Sequence, residues 1–167
     1  PEARFYGIPL DDKQYKIEIL KDFFMNRVRF KIFDLSDPAM RDFVILLNKK
    51  RYVYIYGYTN SIVAFAKYII RNNISIKDVC PSLKLIIVTS ELLVHDDRKL
   101  LVNAFKLPVY SEYGSSDFGY IGKEVHPEKW QVVDELLHVE NDLDGNIIIT
   151  DLNNKAFPFI KYNIGDR

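Results

Sequence analysis

Between residues 52 and 113 the chain alternates strand, helix, strand, helix and strand, and no other feature constrains its fold as strongly. Tyr52, Val53, Tyr54, Ile55, Tyr56 and Gly57 form a run rich in aromatic and β-branched side chains, which reads as a strand closed by the glycine. From Ser61 onward, Ile62, Phe65, Ala66, Ile69 and Ile70 recur at helical spacing, with Thr59 or Asn60 placed to cap the start. Residues 83–89 read as a second buried strand, His95 to Phe105 as a helix with Leu100, Leu101 and Ala104 inward, and residues 109–112 as a third strand. Crossovers between strands of one sheet are right-handed, so this order predicts a parallel sheet with helices packed on it.

The stretch after the third strand carries the chemistry. Tyr113, Gly114, Ser115, Ser116, Asp117, Phe118 and Gly119 place an aromatic, a glycine, two hydroxyls and a carboxylate at a strand end, where α/β sheets bind ligands. Tyr113 suits a stacking face for adenine, Ser116 a contact to a phosphate oxygen, and Asp117 a ligand for a hard cation such as Mg2+. The same residues also suit a polar strand-to-helix turn. Near the other end, Asp166 follows Gly165 and is able to accept hydrogen bonds from both ribose hydroxyls; the alternative is an exposed loop aspartate.

On either side the pattern is simpler. Residues 15–24 read as one partly buried helix, and residues 27–33 alternate basic and apolar side chains, as a strand with one wet face and solvated arginines does. Ser36, Asp37 and Pro38 start a helix running to about Lys50, with Asp37 available as a cap. After Gly122, residues 130–133, 136–140, 146–151 and 157–162 are strand-like runs, and Asp144-Gly145 favours a tight hairpin. The predicted fold class is therefore α/β: a parallel sheet flanked by helices over residues 1–122, followed by an antiparallel β section over residues 123–167.

Composition narrows the function. Lys plus Arg and Asp plus Glu are each 23, a formal net charge of zero, which disfavours nucleic acid or an anionic membrane as partner. No run approaches the roughly 18 apolar residues of a membrane span. Cys80, the single cysteine, excludes an internal disulfide and fits a buried position in a reducing compartment, so a cytoplasmic location is expected. His95, Asp96 and Asp97 are adjacent and point apart on a helix, which suits a helix start better than a metal site. Phe118 stands where a hydrolase elbow requires glycine.

Two ordered motifs together point further. Gly145 to Leu152 reads Gly-Asn-Ile-Ile-Ile-Thr-Asp-Leu, and Pro158 to Asp166 reads Pro-Phe-Ile-Lys-Tyr-Asn-Ile-Gly-Asp. With the Tyr113 turn, these resemble the adenylate-forming (acyl-CoA synthetase) superfamily. Within it they are similar to the phenylacetate-CoA ligase group and its relatives associated with capsular polysaccharide genes. That resemblance implies the superfamily's large-domain fold, ATP/AMP and Mg2+ as cofactors, and a carboxylic acid as substrate. The acid would be activated as acyl-AMP and passed to coenzyme A or another acceptor. It implies that Tyr113 stacks on adenine within the Gly114-Ser115-Ser116 turn, that Ser116 contacts the α-phosphate, and that Asp117 meets the metal. Asp166 would bind the ribose, Arg167 would approach the interdomain hinge, and Ser90 and Glu91 would shape the adenine side. Tyr56, Gly57, Tyr58 and Ser90 are candidates for the acyl side.

Departures accompany the likeness. Asp117 is one methylene shorter than the family's glutamate, and Thr89-Ser90-Glu91 lacks the glycine that precedes the glutamate in relatives. The family's phosphate loop and the lysine of its small C-terminal domain have no counterpart here, and the chain ends directly after the Gly-Asp motif. The expectation is a fragment that needs the rest of its own chain for activity. A catalytically degenerate nucleotide-binding or interaction domain of the same fold is the alternative.

Overall fold

The computed structural model describes residues 1–7, 12–127 and 129–166. The chain divides into two compact units, Pro1–Ser111 and Glu112–Arg167.

In the first unit, parallel strands lie in the order β2-β1-β3-β4-β5, with β1 at Glu2–Phe5, β2 at Arg27–Phe30, β3 at Tyr54–Tyr58, β4 at Leu85–Thr89 and β5 beginning at Val109. The helices are α1 (Asp12–Phe24), α2 (Asp37–Lys49), α3 (Thr59–Arg71), α4 (Ile76–Val79) and α5 (His95–Phe105). The expected parallel sheet with helices is thus present. One face of it carries Ala3, Phe5, Phe30, Ile55, Ile86 and Val88, all fully buried. Against them pack Met40, Phe43 and Leu47 from α2, Ile62, Phe65 and Ile69 from α3, and Leu101 and Phe105 from α5. Each such side chain contributes about 1.5–3 kcal/mol when fully buried. Phe5 is the hub, stacked on Phe30 at 4.7 Å and tilted or edge-on to Phe65 and Phe43, both at 5.4 Å. Gly57 lets β3 approach this hub, since a Cβ there would stand 2.1 Å from the Phe5 carbonyl oxygen. Cys80 is buried, as expected.

Three expectations for this unit need correction. The arginines of β2 are not solvated: Arg27 and Arg29 have side chains only 9% and 7% exposed. Glu18 and Asp22, one turn apart on α1, lie over β2 and take both guanidinium groups. Asp37 does not cap α2, because Ser36 holds the cap position without a side-chain bond and Asp37 pairs instead with Arg71. Nor do Thr59 or Asn60 cap α3 with their own side chains; the Asn60 N–H donates to the carboxylate of Glu91 at 2.7 Å.

In the second unit, the end of β5, which reaches Ser115, pairs antiparallel with β6 (Gly119–His126), and β6 with β7 (Lys129–Val132). A separate sheet has the order β10-β9-β8, from Leu137–Asn141 (β8), Ile147–Asp151 (β9) and Tyr162–Asn163 (β10). Ile121 of β6, Leu137 of β8 and Ile149 of β9 form the buried core of this unit. The β8–β9 hairpin turns where Asp-Gly predicted, closed by Asp142 Oδ1, which accepts from the backbone N–H groups of Asp144 and Asn146. Residues 157–162 are strand only at the last position. Pro158 has no N–H to give, and the Asp151 and Asn154 side chains capture the N–H groups of Asn153, Asn154 and Phe157 before a ladder forms.

Candidate functional site

The Tyr113 motif is a β-hairpin, not a strand-to-helix turn. β5 continues through Tyr113 and Gly114 to Ser115, the turn proper is residues 116–118, and β6 returns with Tyr113 opposite Gly122 and Ser115 opposite Gly119. The register shifts between Tyr113 and Gly114, as a bulge does where a side chain is re-aimed. Gly114 is required by packing, since a Cβ would stand 2.4 Å from the Gly119 carbonyl oxygen. Ser115 faces the turn, its Oγ accepting the Phe118 N–H at 3.2 Å. Ser116 and Asp117 are exposed at the tip. Phe118 anchors the tip from below, with ring centroids 5.1 Å from Phe159 and 5.9 Å from Tyr162.

Tyr113 and Asp166, 53 positions apart in sequence, meet: the phenol hydroxyl donates to Asp166 Oδ2 at 2.6 Å. Burial, then the hydrogen bond to Asp166 and its negative charge, push the Tyr113 phenol well above its ordinary range. Trp130 stands edge-on to the Tyr113 ring at 6.3 Å. Asp166 is exposed, and its backbone is pinned by the Ile147 N–H, which donates to the Asp166 carbonyl at 2.9 Å. Arg167 lies outside the described residues.

The remaining expected residues belong to the first unit. Ser90 follows β4 with a left-handed backbone, φ +68°, a conformation that costs a non-glycine residue of order 1 kcal/mol and is concentrated at functional or tightly constrained positions. Its hydroxyl lies 3.3 Å from that of Tyr6. Glu91 is committed to the start of α3: besides the Asn60 N–H, its carboxylate accepts from Asn60 Nδ2 at 2.8 Å, and its carbonyl accepts from the Thr59 hydroxyl at 2.9 Å. Tyr56 and Tyr58 are brought together around Tyr6, at 6.1 and 4.2 Å between ring centroids, and Arg4 lies over the rings of Tyr6 and Tyr56. Sequence reading missed Tyr6 and Trp130. The period-2 placement of Arg4 and Tyr6 beside a tyrosine-rich strand was the available signal for the first; nothing local marked the second.

Two other features bear on the chemistry. His95, Asp96 and Asp97 open α5, and among the described residues no three His, Cys, Asp or Glu side chains group as a metal site. A shallow groove of about 700 Å³ in the first unit is lined by Arg98, Lys99, Val102, Asn103, Lys106, Leu107 and Pro108, and it includes none of the expected site residues. Among the described residues no helix is long and apolar enough to cross a membrane.

No protein-family model and no characterised protein matches the sequence. Solved structures do match the fold. A 2-hydroxyisobutyryl-CoA ligase in complex with 2-HIB-AMP and CoA superposes with a TM-score of 0.68 at 11% identity, covering 97% of this chain and 38% of that one. VinN in complex with L-aspartate gives 0.60 at 14%, covering 90% and 39%. The coronafacic acid ligase of Pectobacterium brasiliense gives 0.60 at 11%, covering 99% and 34%. The chain thus spans less than two fifths of these neighbours, and the fold it shares with them is that of adenylate-forming ligases.

Proposed function

We propose that this chain is the nucleotide-binding portion of an ATP-dependent ligase that activates a carboxylic acid as its acyl-adenylate. The observation that carries this reading is the meeting of Tyr113 and Asp166 at 2.6 Å, because the two come from separate motifs and are the residues the superfamily uses for adenine and ribose. The acyl-AMP and CoA held by the 2-hydroxyisobutyryl-CoA ligase support it. In the reaction, a carboxylate oxygen attacks the α-phosphorus of ATP and pyrophosphate leaves. An acceptor nucleophile then attacks the acyl carbon and releases AMP.

In this reading Tyr113 gives adenine a flat face, Asp166 accepts from the ribose, and Ser116, exposed at the hairpin tip, contacts the α-phosphate. Gly114 and Ser115 hold the tip in shape. Asp117 presents a lone exposed carboxylate, which fits Mg2+, an ion that commonly takes one or two carboxylates and fills its shell with substrate phosphates and water. Bound there, the ion would neutralise phosphate charge. The assignment is confined to the second unit. The motif spelling favours a phenylacetate-CoA ligase-like enzyme of the capsule-associated kind, with coenzyme A or another nucleophile as acceptor and the cytoplasm as its location. For these 167 residues the proposal is nucleotide binding, and turnover is proposed for the full-length protein.

A second reading, a binding module without catalysis, is favoured by Glu91, whose carboxylate is occupied at the start of α3, and by the short Asp117. Two measurements separate the readings. Titration of the chain with AMP should shift the Tyr113 and Asp166 amides saturably. Pyrophosphate release by the full-length protein, across a panel of acids including aryl acetates, should appear with at least one acid and fall at least about tenfold in Asp166→Ala. Binding without turnover on any acid would select the module, and no amide shift at millimolar AMP together with no pyrophosphate release from the full-length protein would refute both.

A further inference from the structure

Tyr113 and Asp166 are fixed by different elements. Tyr113 belongs to β5 and is held by its pairing with Gly122 of β6, whereas Asp166 is tied through its backbone to the start of β9. An exposed aspartate on such a loop samples several rotamers, and ordering it at the moment of ligand binding costs affinity. Here one hydroxyl removes that freedom beforehand. The Tyr113 hydroxyl donates to Asp166 Oδ2 at 2.6 Å, in the range of charge-assisted O–H···O⁻ bonds. Among the described residues, Asp166 Oδ1 has no hydrogen-bond partner. The carboxylate is thus held at one oxygen and open at the other.

Building on the nucleotide reading above, we infer that Tyr113 is a positioning residue as well as a stacking surface. Its hydroxyl aims Asp166 Oδ1 at a ribose hydroxyl while its ring faces the base, so that sugar and base are recognised by one rigid pair. The donor persists throughout the neutral range, because burial and Asp166 hold the phenol far from ionisation. The consequence is specificity: the preference for a sugar that carries hydroxyls depends on Tyr113, which touches no sugar atom in this scheme. The edge of Trp130 completes the pair on the side of the ring, and as the single tryptophan it reports ligand arrival.

The test titrates the chain, its Tyr113→Phe and Asp166→Ala variants and the double variant with AMP and with 2′,3′-dideoxy-AMP, following Trp130 fluorescence. Phenylalanine keeps the ring and removes only the hydroxyl. The expected result is that Tyr113→Phe lowers the AMP-to-dideoxynucleotide affinity ratio about tenfold, as loss of a hydrogen bond to a charged group does, and adds no further loss to that ratio in the Asp166→Ala background. Retained saturable binding of the dideoxynucleotide also reports an intact fold. Should Tyr113→Phe preserve the AMP-to-dideoxy ratio, or weaken both nucleotides equally, the positioning role is overturned and the nucleotide reading stands. Absence of binding by either nucleotide to the unsubstituted chain overturns both.

Discussion

Replacing Arg29 by methionine should destabilise the first unit by about 2 kcal/mol at neutral pH, and most of that loss should vanish in acid. Arg29 makes hydrogen bonds to Asp22 Oδ2 at 3.0 Å, Asp22 Oδ1 at 2.9 Å, Glu18 Oε2 at 2.7 Å and the Gly7 carbonyl at 3.1 Å. Breaking a fully buried ion pair costs about 3–5 kcal/mol; the 21% exposure of Glu18 and the continued presence of Arg27 at both carboxylates reduce this to about 2. Methionine retains much of the apolar stem, so the loss reports charge and hydrogen bonding more than packing. For Asp22, burial works to raise the carboxyl pKa, and the hydrogen bonds from Arg29 and Arg27 overcome it, leaving it below the ordinary 3.8. A depressed carboxyl contributes stability that is complete above its unfolded value and is lost as pH falls through the folded one. Urea unfolding followed by far-UV circular dichroism, at pH 7 and again near pH 2, gives both numbers. Midpoints within error of each other at pH 7, or a gap between the two proteins that is the same at both pH values, would refute the reasoning.

Two further substitutions test the backbone. Gly57→Ala should cost about 3 kcal/mol or more, read as a fall in thermal midpoint of roughly 10 °C, since the new Cβ meets backbone atoms of β1 that have no room to move. Lys106→Gly should stabilise by about 0.5–1 kcal/mol in the same assay, because Lys106 ends α5 with φ +55°, a conformation that glycine adopts without steric cost.

The elements legible in the sequence were those whose own residues determine them. The helix at 59–71 shows its apolar stripe, the strand at 54–58 shows an aromatic-rich run and that at 85–89 a β-branched one, and the hairpin at 142–146 shows its turn residues. What escaped was determined from outside. β1 is Glu-Ala-Arg-Phe, whose period-2 alternation is too short to mark a strand by itself, and it is a strand because β2 and β3 flank it. The arginines of β2 looked solvated because period 2 says which face they occupy but not that α1 lies over it. Glu91 looked like a ligand residue, and its carboxylate sits at the start of a helix that begins 32 positions earlier. At the candidate site, the motifs named Tyr113 and Asp166 separately; the bond between them depends on how the loop before Asp166 is pinned to β9, which no spacing rule encodes.

The position of β1 has a consequence for how errors spread through the sheet. Its four residues align Glu2 with Arg27 on one side and with Tyr54 on the other. A slip of one residue would carry Glu2 and Arg4 to the face now occupied by Ala3 and Phe5, both fully buried, and would turn the phenylalanine toward the polar face. The tetrapeptide therefore acts as a proofreader: a β2 or β3 misaligned by one residue cannot be accommodated by a matching shift of β1, because that shift places a charge in the hydrophobic core. The shortest message in the sheet is the one that keeps the longer strands in phase.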